Sequence, residues 1–477
     1  MKRGLKIFLI SAAAVLLVFL AAAGWYLARA VPIGTGYVAK YLCTSTFVSH
    51  REPETVFEED VRPVNPLANV MTWQIDMKGK SVTARALWLF QSRAIYREGC
   101  GCTLLAGADE KQLRQQDFYQ FSENSKNRSG ITRQSWQDDT EGAVDPAALG
   151  IDTARLQHAV DAAFSEPSPD NPKKTRAVIV VYNGHRIAER YAPGFGPDMP
   201  LPGWSMTKSI TNALVGILVK KGKLDIHQPA PVPEWQNPDD PRHRITVDQL
   251  LRMSSGLQFE EVYAPLHDAT DMLYGAGDFA AFAAAKNLET PPDTKWSYSS
   301  GTANIIAGIV RREAEKIHGH YYDFIRQELF DRIGMTSALI EPDGSGTFVG
   351  SSYGVATPRD WARFGLLYLN DGVWHGERIL PAGWVTYTAT PTPGAPRGEY
   401  GAHFWLNAGP PSHPENRPWP DAPCDTIAAE GYQGQRVIVI PSRKLVLVRF
   451  GATSNRLAWD TNEFIGNVIK AMPAAGA

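Results

Sequence analysis

Gly203-Trp204-Ser205-Met206-Thr207-Lys208 runs straight into Ser209-Ile210-Thr211-Asn212-Ala213-Leu214-Val215-Gly216-Ile217-Leu218-Val219, and the fold turns on how that passage is read. The second part is apolar enough to be a buried helix. Ser205 and Lys208 stand three apart, so at a helix start they share one face and reach each other. A serine hydroxyl is nearly inert at neutral pH until an adjacent base takes its proton. A lysine serves as that base when burial lowers its pKa. The first N–H groups of a helix have no partner within it, so the Ser205 amide is placed to donate to an oxyanion. The chain contains S-x-x-K once. The short pattern is weak by itself; its position before a buried helix carries the information.

Working outward, Arg176 to Tyr182 and Arg186 to Ala192 read as strands joined at Asn183-Gly184, a strong hairpin signal. A helical pattern from Asp152 to Phe164 precedes them. Near the other end, Arg436 to Ile440 and Leu445 to Phe450 flank Pro441-Ser442-Arg443-Lys444 as a second hairpin, and a helix from Asn462 to Met472 closes the chain. Strands at both ends of the segment with helices between them predict an α+β domain.

Two further groupings carry chemistry. Trp296-Ser297-Tyr298-Ser299-Ser300-Gly301 opens a helix at Thr302. Its serines suit capping, but a tyrosine there is not needed for a cap, and a phenol near Lys208 can trade protons with it. Gly431-Tyr432-Gln433-Gly434-Gln435 leads into the strand from Arg436. Glycines at a strand start admit a ligand close to the backbone, and the N–H that follows is a candidate second oxyanion donor.

Ser205-x-x-Lys208, Tyr298-x-Ser300 and the Gly-rich strand start, in that order, resemble the serine β-lactamase and penicillin-recognising family, in its class C, esterase and 6-aminohexanoate-oligomer-hydrolase branch. The stretches 245–257, 333–335 and 356–365 resemble it too, and the likeness covers roughly residues 150–470. It implies an antiparallel sheet flanked by helices, with a helical lobe and the active site between them. It implies Ser205 as acylated nucleophile, Lys208 and Tyr298 as base and acid, and the amides of Ser205 and Gln435 as oxyanion hole. Ser300, Gln433 and Gly434 fall at substrate-binding positions, and Phe259-Glu260-Glu261-Val262-Tyr263 resembles a segment that brings a tyrosine, here Tyr263, to the substrate. Ser300 replaces the asparagine of class C β-lactamases, and Tyr432-Gln433-Gly434 replaces their Lys-Thr-Gly. The missing lysine removes the cation for a β-lactam carboxylate, although Arg436 is a possible substitute. An esterase, amidase or short-peptide hydrolase is favoured.

Gly350-Ser351-Ser352-Tyr353-Gly354 also matches G-x-S-x-G. A nucleophile elbow needs a strand before it, a helix after it and a later Asp and His. Only Phe348-Val349 precedes it, and helix punctuation waits until Pro358. His375, His403 and His413 stand in loop-like surroundings, and His243 and His267 read as surface or capping residues. Trp361, Phe364 and Leu367 form a helix core stripe. Trp204 either lines a pocket or fills a core gap. No metal, nucleotide or flavin signature is present, so no cofactor is expected.

At the N-terminus, Lys2, Arg3 and Lys6 precede 22 uncharged residues, Ile7 to Ala28, ended by Arg29. That length spans a bilayer as a helix, with Trp25 and Tyr26 at the interface and the basic residues on the cytoplasmic side. A secretory signal cleaved at Ala28-Arg29-Ala30 is the alternative. Either route exports the rest, predicting a single-pass bacterial inner-membrane protein with a periplasmic domain, or a secreted one. There, Cys43 can pair with Cys100 or Cys102. The expected organisation is an anchor over 1–30, a small strand-rich unit and polar linker over 31–145, and a hydrolase domain over 146–477. The linker is the polar stretch 107–142.

The 477 residues carry a net charge of −2, with 44% hydrophobic and 21% charged residues. That balance excludes a disordered chain and offers no basic field for nucleic acid. The expected partners are a small ester or amide and a membrane. Two alternatives stand beside the hydrolase: a peptidoglycan-directed, penicillin-binding enzyme of the same fold, and a non-catalytic binder that keeps the fold.

Overall fold

The computed structural model describes residues 2–116 and 144–474. Helix α1 (Lys2–Phe47) is unbroken, roughly 70 Å long at 1.5 Å per residue. Among the described residues it is the one helix long and apolar enough to cross a membrane. Its first part is bare, with Leu5, Ile10, Leu17 and Phe19 exposed, and burial begins at Ala30. The helix therefore does not stop at Arg29: residues 32–47, which begin the small strand-rich unit, are helical. Pro32, Gly34 and Gly36 argue against helix locally. Tertiary packing overrides them. A Cβ at Gly34 would lie 2.8 Å from Met71 Cε, and one at Gly36 would lie 3.2 Å from Leu104 Cδ2 and from Tyr274 Cβ. Only a helix bare at both positions lets its neighbours close on it.

Strands β1 (Met71–Asp76), β2 (Ser81–Ala86), β3 (Phe90–Arg97) and β4 (Gly101–Leu104) form a four-stranded antiparallel sheet in chain order, turning at Lys78-Gly79-Lys80. It packs on the buried half of α1, and a Cys43–Cys102 disulfide joins the two. Cys100 is a buried free thiol and Cys424 an exposed one. Two buried ion clusters tie this part to the rest. Glu341 pairs with Lys40 and accepts from Thr44 Oγ1 at 2.8 Å and Cys102 N at 2.7 Å. Asp60 pairs with Arg51 and Arg176 and accepts from Tyr41 Oη at 3.0 Å. Of the polar stretch 107–142, Glu110–Arg114 is a short helix that buries Leu113, and residues 117–142 lie outside the described residues.

Helix α2 (Thr153–Phe164) starts at Asp152, whose Oδ1 accepts from Arg155 N at 3.0 Å. It leads to β5 (Thr175–Tyr182) and β6 (His185–Tyr191), joined across Asn183-Gly184, both at positive φ. Then come β7 (Leu201–Trp204), α3 (Thr207–Lys220), α4 (Ser300–His318), β8 (Leu339–Ile340), β9 (Gly354–Ala356) and α5 (Pro358–Leu369). The chain closes through β10 (Trp405–Leu406), β11 (Ile427–Gly431), β12 (Gln435–Ile440), β13 (Leu445–Gly451) and α6 (Thr461–Ala471). A six-stranded antiparallel sheet has the order β10-β11-β12-β13-β5-β6.

Period-two alternation divides that sheet into two buried faces. Val178, Val180, Ile438 and Leu447 pack with α2 and α6, whereas Ala177, Ile179, Val437 and Val448 join the core with α5 and the helical lobe of α3 and α4. Trp361, Phe364 and Leu367 form the expected stripe of α5. The mixed α+β architecture is the expected one. A small separate sheet, β7-β9-β8, delivers the chain to Ser205.

The disulfide closes a loop between positions 59 apart. On the chain-entropy model, Cys102→Ser is expected to lower unfolding stability by about 4 kcal/mol. Thermal unfolding checks this, with the exposed Cys424→Ser as a control that leaves Tm unchanged.

Candidate active site

Strand β7 ends at Trp204, whose φ of 50° is left-handed. The abrupt turn has local causes. A Cβ at Gly203 would strike the Trp361 ring at 2.5 Å, so the chain passes there only as glycine. Thr207 Oγ1 donates to Trp204 O at 2.6 Å and accepts from Gly354 N at 2.8 Å, fixing the start of α3. Ser205 sits in the turn, and Lys208 N closes it on Ser205 O at 3.1 Å. Because α3 is buried on every side from Thr207 to Leu218, Lys208 is carried into the interior and is 1% exposed.

Lys208 Nζ has three oxygen neighbours, all at 3.1 Å: Ser205 Oγ, Ser300 Oγ and the Ser351 carbonyl. It also lies 4.7 Å from the centre of the Tyr298 ring. Burial pushes the amine down to about 8, against a smaller opposing pull from the Glu261 carboxylate. An amine held there is neutral in roughly one molecule in ten at pH 7, far more often than an ordinary lysine.

Tyr298 stands in the extended run before α4, clamped between Trp405 (5.4 Å, stacked) and Tyr400 (5.7 Å, edge-on). Burial and the nearby Glu261 charge drive the Tyr298 pKa upward, against a smaller opposing effect of the Ser205 hydroxyl. The two serines after it divide their work. Ser299 Oγ caps α4 by accepting from Thr302 N at 3.1 Å. Ser300 is fully buried, and its Oγ and N both donate to Glu261 at 2.6 Å. Tyr263 Oη donates to the same carboxylate at 2.8 Å while the residue stays 57% exposed. Glu261, two positions from Tyr263, is thus the centre of a network the motif reading missed.

At the end of β11, a Cβ on Gly431 would lie 2.1 Å from Gly203 O, and the Tyr432 ring meets Trp204 edge-on at 5.7 Å. Gln433, Gly434 and Gln435 form the turn behind this contact. The Gln433 and Gly434 carbonyls accept from Arg449 Nη1 at 3.2 and 2.9 Å. The Gln435 carboxamide donates to Tyr432 O and Gly451 O and accepts from Gly451 N. Tyr432, not these three, lines the cavity at this corner. Arg436, the possible substitute for the missing lysine, is paired with Glu430 at 3.2 Å.

The G-x-S-x-G stretch is a turn followed by β9, which is not the strand–serine–helix order of an elbow. It nevertheless belongs to the site. Ser351 O binds Lys208, Ser351 Oγ accepts from Asn304 Nδ2 at 3.1 Å, and Ser352 lines the cavity. His403 is buried with Nδ1 2.9 Å from Lys208 O, and burial lowers its pKa to about 3, keeping the ring neutral. His243 contacts Trp235 O and His267 contacts Glu260, both away from Ser205. Among the described residues no three His, Cys, Asp or Glu side chains group as metal ligands would.

Ser205 opens onto a cavity of about 390 Å³. Trp204, Tyr263, Tyr274 and Tyr432 form one side, which answers the question left by Trp204: it lines the pocket. A further stretch of the wall is α1, from Tyr26 to Tyr37.

The sequence profile of the beta-lactamase family matches residues 173–464. The 6-aminohexanoate-dimer hydrolase of Paenarthrobacter ureafaciens is 27% identical over 291 residues, covering 53% of this chain and 71% of that one. Among solved structures, a putative 6-aminohexanoate-dimer hydrolase from Bacillus anthracis superposes with a TM-score of 0.51 at 24% identity, over 66% of this chain and 79% of its own. A putative beta-lactamase from Bacteroides dorei does so with 0.52 at 17% identity, over 67% and 99%. With the profile spanning most of the chain and the sheet and helical lobe in the same arrangement, this protein belongs to the beta-lactamase family.

Proposed function

We propose that the chain is a membrane-tethered serine hydrolase that cleaves a small ester or amide through a Ser205 acyl-enzyme. The observation that carries this reading is the 3.1 Å contact between Ser205 Oγ and a buried Lys208 whose amine is pushed down to about 8. Lys208 takes the Ser205 proton as Oγ bonds to the substrate carbonyl carbon. The Ser205 amide faces the resulting oxyanion. As the C–O or C–N bond breaks, the leaving group takes a proton from the Tyr298 phenol, which Lys208 re-protonates. Water then adds to the acyl carbon and gives its proton to Lys208. The carboxylic acid departs and the Ser205 hydroxyl is restored. Ser300 and Glu261 hold Lys208, and Tyr263 borders the substrate.

An ester or amide is favoured over a β-lactam because Arg436 is already occupied by Glu430. Export is supported by the exposed apolar run of α1 and by the Cys43–Cys102 disulfide, which fits an oxidising compartment. Anchoring is favoured over cleavage because α1 stays helical through Ala28-Arg29-Ala30 with Ala30 buried. The orientation is then basic end in the cytoplasm and catalytic domain in the periplasm.

The test is a panel of p-nitrophenyl esters, D-amino amides, aminohexanoate dimers and a fluorescent penicillin offered to the full chain in detergent. Turnover of an ester or amide without a long-lived penicillin adduct is the expected result. A long-lived adduct without turnover would instead assign a penicillin-binding enzyme.

A further inference from the structure

Two features at the same end of the molecule have no part in the chemistry above. The first is the wall of the active-site cavity. Tyr26, Leu27, Ala30, Val31 and Ile33 of α1 line the same cavity as Ser205. These residues straddle the point where α1 leaves the protein: Trp25 and Tyr26 are exposed, and Ala30 is 3% exposed. The 22 uncharged residues before Arg29 are about 33 Å of helix, enough for a hydrocarbon core of about 30 Å. Tyr26 therefore stands at the bilayer surface and on the cavity wall at once.

The second is the tip of the β2–β3 hairpin. Leu87, Trp88 and Leu89 are 45, 90 and 68% exposed. Leu87 and Trp88 take φ of 51° and 52°, a left-handed conformation that suits glycine or asparagine and strains bulky side chains. Their level along α1 follows from two contacts. Ser92 Oγ bonds Thr35 Oγ1 at 2.8 Å, and Tyr96 stacks on Phe47 at 5.5 Å. Strand β3 thus runs in the same direction as α1. Strand β3 begins at Phe90, two residues or about 7 Å back from Ser92 and so roughly four to five helical residues back from Thr35, and the 87–89 turn lies beyond it, on the Arg29 side of α1. Strained, exposed apolar side chains beside the end of a membrane span fit an acyl-chain boundary and not water.

We infer that the cavity takes its substrate from the bilayer: an ester or amide carrying a long aliphatic chain, with the chain along the Tyr26–Ile33 wall of α1 and the carbonyl at Ser205, while the 87–89 tip seats the domain in the outer face of the membrane. This rests on the hydrolase reading and adds the substrate class to it. The reaction is the hydrolysis written above, releasing the chain as its acid or as its alcohol or amine.

The full chain in phosphatidylcholine nanodiscs is given p-nitrophenyl butanoate and dodecanoate. The wild type is expected to prefer dodecanoate in kcat/KM by about tenfold or more, since each buried methylene adds to binding. Ala30→Phe, which fills the chain wall, is expected to lower that ratio by about fivefold or more, and so is Leu87→Ser/Trp88→Ser/Leu89→Ser, which unseats the tip. Partitioning of the ester into lipid is the same for every variant, so an unchanged ratio in both variants overturns the inference. Labelling of Ser205 by a small fluorophosphonate reports that each variant is folded, and Leu27→Trp replaces Ala30→Phe should the latter not label. Butanoate turnover with no chain-length preference sinks the inference alone. Absence of both label and turnover in the wild type sinks the hydrolase reading with it.

Discussion

Ser205→Ala is expected to lower kcat/KM by about ten-thousandfold or more on any substrate the wild type turns over, because Ser205 both contacts Lys208 and opens onto the cavity, as acyl-enzyme formation requires. It is also expected to abolish covalent labelling by a fluorophosphonate, read by intact mass. The substitution removes one of three oxygen neighbours of Lys208 and leaves Ser300 Oγ and Ser351 O in place. A partly exposed residue in a turn outside the core is trimmed, so Tm should change little and the loss is chemical. Ser352 provides the contrast. Its hydroxyl lies 2.8 Å from Ser351 Oγ, in a turn that leads into a strand and not a helix. Ser352→Ala is expected to keep the label. Label lost in Ser352→Ala and retained in Ser205→Ala would move the nucleophile to the G-x-S-x-G turn.

The second large effect is in the pH profile. A protonated Lys208 has no lone pair to receive the Ser205 proton, so kcat/KM is expected to fall about tenfold per pH unit on the acid side. The midpoint should lie near the value of about 8 to which burial pushes the amine. The sign follows from which form works: activity rises with pH through the pKa and then levels. Glu261 supplies the variant that separates base from bystander. Its negative charge favours the ammonium, so Glu261→Gln should move the acid limb to lower pH. The Ser300 N–H and O–H both donate to that carboxylate, so some loss of the plateau is expected as well. Lys208→Ala should cut kcat/KM by about a hundredfold to ten-thousandfold. An acid limb unmoved in Glu261→Gln would remove Lys208 from the role of base.

What was readable in advance is local. Asn183-Gly184 marks a hairpin because two consecutive residues must take positive φ, and both do. Asp152 and Ser299 cap their helices through bonds three residues long. The Ser205–Lys208 contact has the same short reach. The missed pieces are all distant. Glu261 meets Ser300 across 39 positions, Ser351 meets Lys208 across 143, and Lys40 meets Glu341 across 301. In the third grouping, Arg449 and Gly451 of a neighbouring strand engage the Gln433 and Gly434 carbonyls and the Gln435 carboxamide. No spacing rule covers such a contact.

The helix at the N-terminus divides the two kinds of knowledge most sharply. Sequence alone determined that residues 7–28 are uncharged and long enough to span a bilayer, because hydropathy over a window is a sum of local terms. It also singled out Ser205 and Lys208 as a pair three apart at a helix start, and the two are in contact. Only the tertiary structure decided that the same helix continues through Pro32 to Phe47 and becomes a wall of the cavity that holds Ser205. Proline and two glycines weaken a helix in isolation. A sheet packed on one side and a catalytic domain on the other restore it, and helix propensity is too small a force to predict that outcome.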